Sequence, residues 1–381
     1  MEKIRVCFLG GGPAFPRSIP FKDKFKAFSK IFSCCVVTPV AGINSRRVTD
    51  VSDVRIYQFP YIAKNSIARN VYTCFQLINI GIKTFKERGY DVIVSPNPLM
   101  SGLAGTILAR ITSTKLIVEV NGNFESAFKY GRLGEAEVSF LAYFKEFVAQ
   151  YMIKYILKRA DVVKLVHSKQ LDSLKIDKDK VQTVVFPNFV PIKQFLAHEK
   201  RDGKYILLLG FPWYLKGVDI LIKAFNQISG EFPEYSLKIV GWCPKGRDFF
   251  EELAKGNEKN ELLDAVEYEE VIELMTSCSV YVLASRTDSS PRVLREAMAS
   301  KKPIIASNID GVPELIEDGF NGLLFESKNV QDLAKKLSMV LSNPTLAKKL
   351  AKSGYEYVQE KLSEEVYLKN YMYMVENVLS N

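Results

Sequence analysis

Two acidic residues in the second half of the chain, Asp288 and Glu296, have types and a spacing suited to binding a sugar nucleotide. Asp288 lies in a loop after a predicted strand, and Glu296 lies about one turn into the predicted helix that follows. Because carboxylates accept hydrogen bonds from hydroxyl groups, the first acid could bind a sugar and the second a ribose. Taken alone, the two acids are also compatible with an acid at a helix start followed by a surface Glu.

Two predicted helix starts could hold the phosphates of such a ligand. Pro291 stands near the start of the helix that carries Glu296, and amides at a helix N-terminus bind phosphate with help from the macrodipole. Lys216 and Gly217 stand just before a predicted helix at Val218–Ile228, where a lysine places a point charge near a diphosphate. By itself, Lys216 would be interpreted as a solvated lysine at a helix start.

The composition predicts a soluble two-domain protein. The chain has 381 residues, 47% of them hydrophobic and 25% charged, which is long for a single core. No segment approaches the ~20 apolar residues that cross a bilayer. Six cysteines without regular spacing favour reduced thiols in a cytosolic protein, and none of them suggests a metal site.

Charge is distributed unevenly between the two halves. Residues 1–200 carry 30 Lys and Arg against 16 Asp and Glu, whereas residues 201–381 carry 22 against 27. This asymmetry predicts that the first half faces an anionic partner, such as a membrane surface or nucleic acid. Nucleic acid is disfavoured because the basic residues are scattered and no recognition motif is present.

The pattern of elements predicts an α/β protein with two Rossmann-like domains facing across a cleft. Short apolar runs bounded by Gly, Pro or Asn alternate with helical stretches in both halves, which is typical of buried parallel strands. The charged segment from Ala197 to Gly203 is interpreted as a linker between a domain at 1–196 and one at 204–360. A helix over 361–381, with Ser363 as a plausible N-cap, is expected to return to the first domain. Ligands are expected at the carboxyl ends of the strands.

Three segments of the second half resemble a known enzyme family. They are L-G-F-P-W-Y-L-K-G-V-D-I-L-I-K-A-F at 209–225, D-S-S-P-R-V-L-R-E-A-M-A at 288–299, and G-V-P-E-L-I-E-D-G-F-N-G-L-L-F at 311–325. The text resembles the retaining glycosyltransferases of the GT-B fold in family four, also called glycosyl transferases group 1. The resemblance is specific in the second half and weaker in the first.

The resemblance implies transfer of a hexose, with retention and without a metal, from a nucleotide-diphosphate sugar such as a UDP- or GDP-sugar. It implies no bound cofactor, and a saccharide or lipid-linked acceptor in glycan or glycolipid synthesis. Lys216 would hold the diphosphate, Glu296 the ribose and Asp288, as a catalytic residue, the sugar. The remaining donor residues would be Gly210, Gly241, Ser290, Pro291, Arg292 and Val293. Gly11 and Gly12 would form an acceptor or phosphate loop, with a plain strand-to-helix turn as the alternative.

The chain departs from the family pattern at three positions. Asp288 replaces the usual Glu, Phe211 replaces an Arg that pairs with the lysine, and Asn121 replaces a His. We hypothesise that Arg292 supplies the missing phosphate cation. Asn121 can bind a sugar hydroxyl but cannot titrate, and a same-face displacement needs no His base because the leaving phosphate can take the acceptor proton.

These departures keep other functions open. One alternative is a GT-B subunit with weak catalysis that serves to bind or scaffold. A sugar phosphorylase or a nucleotide-sugar epimerase is a further enzymatic alternative, although no pyridoxal phosphate signature is present.

Two aromatic stripes in the first half bear on the acceptor. Phe21, Phe25, Phe28 and Phe32 recur at helical spacing, and a second stripe runs along the predicted helix 138–159. Both are interpreted as core-facing. The alternative, that they lie in a membrane interface, would place a cytoplasmic protein peripherally at the inner face of the membrane, with a lipid-linked or otherwise anionic acceptor.

Overall fold

The computed structural model describes residues 2–10, 19–62, 66–123, 140–196, 203–243 and 246–380. The chain forms two compact units. One comprises Met1–Phe189 together with Glu364–Asn381, and the other comprises Val190–Ser363. Both are α/β units built on a sheet whose strands are short and mostly buried, as the sequence predicts.

The first unit contains an eight-stranded sheet in its described residues. Its order is β3-β4-β2-β1-β5-β6-β7-β8, and all neighbours are parallel except β3 and β4. The strands are β1 (Arg5–Leu9), β2 (Ser33–Val40), β3 (Arg47–Val51), β4 (Val54–Pro60), β5 (Val92–Ser95), β6 (Lys115–Val120), β7 (Val162–Leu165) and β8 (Thr183–Val185).

Helices cover both faces of this sheet because successive strand residues point to opposite sides. On one face, Cys7 and Val118 pack with helices α2 (Ser66–Arg88), α3 (Met100–Thr112) and α4 (Phe140–Leu157). On the other face, Phe8 and Ile117 pack with α1 (Ile19–Phe28) and with the last helix of the chain. A short helix, α5 (Gln170–Ser173), follows β7.

The second unit is built on a six-stranded parallel sheet with the order β11-β10-β9-β12-β13-β14. Its strands are β9 (Tyr205–Leu209), β10 (Ser236–Val240), β11 (Asn260–Leu263), β12 (Val280–Leu283), β13 (Ile304–Ser307) and β14 (Leu323–Phe325). Its helices are α6 (Lys193–Leu196), α7 (Val218–Ile228), α8 (Arg247–Ala254), α9 (Tyr268–Ser277), α10 (Arg292–Ala299), α11 (Val330–Leu341) and α12 (Pro344–Lys361).

The chain changes unit earlier than the charged segment suggests. Val190, Ile192 and Phe195 are buried in the core of the second unit, so that unit begins before the predicted boundary at 196. Charge marks where a chain is solvated, whereas the boundary is set by where apolar side chains find a core. The final helix, α13 (Glu364–Ser380), belongs to the first unit, where Tyr371 and Val375 are buried.

The two aromatic stripes have opposite environments. Phe21, Phe25, Phe28 and Phe32 are buried in the first unit, so their interpretation as core residues is confirmed. The same interpretation is wrong for α4, whose aromatic side chains Phe144, Phe147, Tyr151 and Tyr155 are 39–68% exposed. The core face of α4 carries Ile153, Ile156 and Leu157 instead. Among the described residues, no helix has the length and apolar character to span a bilayer.

Candidate active site

The strand order of the second sheet reverses at β9. Its neighbours are β10 on one side and β12 on the other, and the helices α7 and α10 begin after β9 and β12 respectively. Such a reversal leaves a crevice outside the carboxyl ends of the strands, where α/β proteins bind their ligands. The loops 210–217 and 284–291 lie at this point, and they carry most of the predicted donor residues.

Lys216 and Asp288 meet across the two loops. Lys216 Nζ lies 2.5 Å from Asp288 Oδ2, and the two side chains are 21% and 15% exposed. The structure therefore joins the residue predicted for the diphosphate to the residue predicted for the sugar. A partly buried cation beside a carboxylate can contact phosphate oxygens and sugar hydroxyls at the same time.

The loop that carries Asp288 is fixed by Asp310, a residue that sequence reasoning missed. One carboxylate oxygen, Asp310 Oδ2, accepts hydrogen bonds from the Asp288 amide at 2.8 Å and from the Thr287 hydroxyl at 2.6 Å. Asp310 itself has a positive φ of 39°. It lies beyond β13 and far from the two-acid motif, so spacing along the chain gave no signal for it.

Glu296 is completely buried, so the alternative that it is a surface residue is wrong. Its Oε1 accepts a hydrogen bond from Tyr268 Oη at 3.0 Å and lies 2.9 Å from Arg292 Nε. Its Oε2 is buried and has no hydrogen-bond partner among the described residues. Burial raises the pKa of Glu296, and the charge of Arg292 and the Tyr268 hydrogen bond oppose that rise. The carboxylate thus has an acceptor oxygen to offer to a ligand hydroxyl.

Glycines let the backbones around this site approach closely. Gly217 begins α7 with φ 67°, and a Cβ there would lie 1.9 Å from the carbonyl oxygen of Ala284. A Cβ on Gly241, after β10, would lie 2.1 Å from the carbonyl oxygen of Gly210. Gly210 has φ 140° and adjoins the Lys216 side chain. Side chains at Gly217 and Gly241 would separate the loops that hold Lys216.

The start of α10 is an uncapped helix N-terminus. Pro291 is its N-cap residue, and no side chain caps its amides. Ser290, just before it, accepts hydrogen bonds from the buried Arg295 through both its carbonyl oxygen, at 3.1 Å, and its hydroxyl, at 3.2 Å. Val293 lies half-buried in the first turn. The amides of this turn are therefore held in place for an anion.

Arg292 lies beside Glu296, the carboxylate predicted to bind the ribose. Its guanidinium pairs with Glu296 and lies 5.4 Å from the centre of the Tyr268 ring, and its side chain is 45% exposed. Phe211, at the position of the missing Arg, is exposed and forms an edge-to-face pair with Trp242 at 6.1 Å. Trp242 follows Gly241 and was not singled out in the sequence.

The remaining predicted residues belong to the first unit. Asn121 follows β6, and its Nδ2 donates to the carbonyl oxygen of Pro96 at 2.9 Å and to Glu119 Oε2 at 3.1 Å. Gly11 and Gly12 lie outside the described residues. Gly10, which precedes them, packs closely on Thr38, since a Cβ there would lie 2.2 Å from Thr38 Oγ1.

A cavity of about 170 Å³ opens at the carboxyl edge of the first sheet. Gly10 and Asn97 line it from the strand ends, Ser101 lines it from α3, and Arg69 and Thr73 line it from α2. Arg69 lies 5.6 Å from the centre of the Tyr61 ring. The cavity therefore combines a cation with hydroxyl and amide groups, a set suited to a hydroxylated ligand that carries negative charge.

Residues 192–357, which include every element of the second-unit site, match the protein family described as Glycosyl transferases group 1. An uncharacterized glycosyltransferase from Methanocaldococcus jannaschii is 28% identical over 315 residues, which is 82% of each chain. This part of the chain is therefore similar to the group 1 glycosyltransferases.

Solved structures show the fold of the chain. Sucrose-phosphate synthase from Thermosynechococcus elongatus aligns over 100% of both chains with a TM-score of 0.80 and 19% identity. The Anabaena protein HepE, solved in complex with UDP and glucose, aligns over 99% of this chain and 100% of its own with a TM-score of 0.71 and 16% identity. The prediction of a GT-B fold is confirmed.

Proposed function

We propose that the chain is a glycosyltransferase that moves a hexose from a nucleotide-diphosphate sugar to a saccharide or lipid-linked acceptor with retention of configuration. The observation that carries the proposal is the group of Lys216, Asp288 and Glu296 at the reversal point of the second sheet. The three side chains correspond to the three parts of one donor. The Lys216 cation suits the diphosphate, the Asp288 carboxylate suits the sugar, and the buried Glu296 carboxylate, with an unpartnered acceptor oxygen, suits the ribose.

Each residue has a separate role in this proposal. Lys216 neutralises the diphosphate, and the uncapped amides of Arg292 and Val293 hold the distal phosphate. Glu296 accepts the ribose hydroxyls, and Asp288 orients the transferred sugar. As the bond to the leaving phosphate breaks, the acceptor hydroxyl attacks from the same face and gives its proton to that phosphate. No step of this reaction assigns a role to a metal ion.

Uracil is the base to test first. HepE, whose fold this chain shares, was solved with UDP and glucose, and a shared fold at 16% identity supports the choice of probe rather than the identity of the donor. GDP and its sugars are the second set of probes.

The acceptor is proposed to bind the first unit. The cavity beside Gly10 offers Arg69 to an anionic group and Asn97 and Thr73 to hydroxyl groups. The exposed aromatic face of α4, flanked by exposed Lys145, Lys154 and Lys158, supports contact with an anionic membrane and hence a lipid-linked acceptor.

Binding of UDP, GDP and their hexose derivatives, measured by titration calorimetry, tests the donor site. We expect Lys216→Ala and Glu296→Gln each to weaken binding of the free nucleotide roughly 10- to 100-fold, because each removes charge-assisted hydrogen bonds. Asp288→Asn should leave the free nucleotide unaffected and weaken only the sugar nucleotide.

Two exposed residues of the same unit provide matched controls. Lys223→Ala on α7 and Glu270→Gln on α9 remove the same charges away from the site, and they should bind as the parent chain does. The proposal fails if none of the nucleotides binds, or if Lys216→Ala and Glu296→Gln bind as tightly as these controls.

A further inference from the structure

The backbone that carries Asn121 is fixed by a buried glutamine on α5. Gln170 Nε2 donates to the carbonyl oxygens of Val120, at 3.1 Å, and Gly122, at 3.2 Å, on either side of Asn121. Its Oε1 accepts from the Val166 amide at 2.8 Å. Because Gln170 is held at both ends of its amide, Asn121 starts from a defined main-chain position.

The orientation of the Asn121 side-chain amide is also determined. Its two polar neighbours, the Pro96 carbonyl oxygen and the Glu119 carboxylate, can only accept hydrogen bonds, so the amide nitrogen must face them. The amide oxygen then points elsewhere. Asn121 Oδ1 has no hydrogen-bond partner among the described residues, and the neighbouring Gly122 borders open space, with no atom within 4 Å of an added Cβ.

Glu119 links Asn121 to the last helix of the chain. It lies on the face of β6 that α13 covers, and its Oε1 accepts a hydrogen bond from Tyr371 Oη at 3.0 Å. Burial alone would raise the pKa of Glu119. The charges of Lys24 and Lys164 and the two hydrogen bonds outweigh burial, so the pKa lies below its ordinary value and the side chain is ionised at neutral pH.

We propose that Tyr371 and Glu119 are positioning residues that hold the Asn121 amide with its oxygen presented to a substrate hydroxyl. A hydroxyl donor is the ligand that satisfies a fixed, unpartnered acceptor. The inference rests on the proposed function, because it needs a sugar substrate. It makes α13 part of the substrate site, although the helix follows every donor motif in the chain.

A double-mutant cycle on transfer kinetics tests the positioning role. Tyr371→Phe removes one oxygen atom and should lower kcat/KM roughly 5- to 10-fold, because Glu119 then holds the amide less firmly. Asn121→Ala should lower it further, and adding Tyr371→Phe to Asn121→Ala should cause no additional loss. Tyr367→Phe, which removes a hydroxyl one turn earlier on α13, is the matched control and should retain parental kinetics. Additive losses in the double variant would overturn the proposal, since they would mean that Tyr371 acts on stability and not through Asn121.

Monodeoxy analogues of the donor and of the acceptor identify the hydroxyl that Asn121 binds. This test does not depend on the Tyr371 variant. One analogue should react at least tenfold more slowly with the parent chain, and Asn121→Ala should not distinguish that analogue from its hydroxylated form. The position of the missing hydroxyl then tells whether donor or acceptor is bound. If Asn121→Ala discriminates every analogue as the parent does, the inference is wrong while nucleotide binding by the second unit, and with it the proposed function, stands.

Discussion

Glu296 is completely buried, and one of its carboxylate oxygens has no hydrogen-bond partner in the described residues. Such a group destabilises the folded protein when no ligand is bound. An unsatisfied buried acceptor costs about 1–3 kcal/mol, and more when it is charged. Arg292 and Tyr268 compensate only the other oxygen. The presence of such a group is explained if a ligand supplies the missing hydrogen bonds. Active sites often have residues that lower stability and serve binding.

Replacing Glu296 by Gln should therefore stabilise the free protein while weakening nucleotide binding. Gln is uncharged and can still accept the hydrogen bond from Tyr268, so the free energy of unfolding should rise on the order of 1 kcal/mol at neutral pH. Urea unfolding followed by circular dichroism measures it. The exposed substitution Glu270→Gln should leave stability within experimental error.

The stability gained by Glu296→Gln should depend on pH, and the pKa shift of Glu296 fixes the direction of that dependence. The pKa of Glu296 is raised in the folded chain, so the folded state binds its proton more tightly than the unfolded state. Its contribution to stability falls as pH rises from the ordinary carboxyl value of about 4.3 through the raised pKa. The gain from Glu296→Gln should thus shrink under acidic conditions, and a gain that is independent of pH would contradict this account.

The residues of the proposed donor site were predictable to different degrees. Lys216, Asp288 and Glu296 lie at helix starts, where residue type and spacing along the chain carry information. Tyr268 and Asp310 were not predictable, because each comes from another element and meets the site only after the sheet has formed. The pairing of Arg292 with Glu296 was also missed, although the two lie one helical turn apart and have opposite charges.

Among the elements, the contact between the ends of β9 and β10 gives the site its shape. Gly241 allows the Gly210 carbonyl to lie against it, and a Cβ at Gly241 would be 2.1 Å from that oxygen. We expect Gly241→Ala to destabilise the protein by roughly 1–3 kcal/mol through overpacking. It should also weaken nucleotide binding, because the loop that leads to Lys216 begins at Gly210. Chemical denaturation and calorimetry on one preparation measure both effects.

Gly230 provides the control for this substitution. It follows α7, and a Cβ there meets no atom within 4 Å, so Gly230→Ala should be neutral or slightly stabilising. Equal effects of the two substitutions would show that the contact at Gly241 does not matter.

The central strands and the edge strand β14 were predictable, whereas the edge strands β3, β8 and β11 were not. Buried strands such as β9 and β12 are continuous apolar runs, which the sequence displays directly. β3 and β8 lie at the two edges of the first sheet, are only partly buried and carry polar residues, so they lack that pattern. The orientation of α4 was predicted wrongly because both of its faces are apolar, and periodicity alone cannot show which face is buried.

At the scale of the whole molecule, the first unit is built from two distant parts of the chain. α13 closes the face of the first sheet that α1 also covers, and Tyr371 packs there against Phe28 with ring centres 4.6 Å apart. The first unit is therefore complete only when α13 has joined the rest of it. The same unit carries the excess of basic residues and the exposed aromatic face, so charge and apolar surface coincide in one half of the molecule.

This coincidence predicts binding to anionic membranes. The chain should float with vesicles made of equal parts phosphatidylglycerol and phosphatidylcholine and not with vesicles of phosphatidylcholine alone. The triple variant Phe144→Ser, Phe147→Ser and Tyr151→Ser should bind at least tenfold more weakly, because it removes most of the aromatic surface that would enter the interface. Lys154→Ala and Lys158→Ala should each cost about 1 kcal/mol, a loss that added salt makes smaller.

A control variant at other exposed aromatic residues distinguishes binding through α4 from nonspecific hydrophobic binding. Phe249 on α8 and Tyr373 on α13 are also exposed, so the double variant Phe249→Ser and Tyr373→Ser removes comparable surface from other places. It should bind vesicles as the parent does, because neither residue lies on the face of α4.

Absence of binding by the parent chain to anionic vesicles at low salt would rule out the membrane contact and leave the exposed face of α4 to another partner. Because donor binding depends on the second unit, the triple variant should keep its affinity for the nucleotide, so loss of membrane binding and loss of the fold can be told apart.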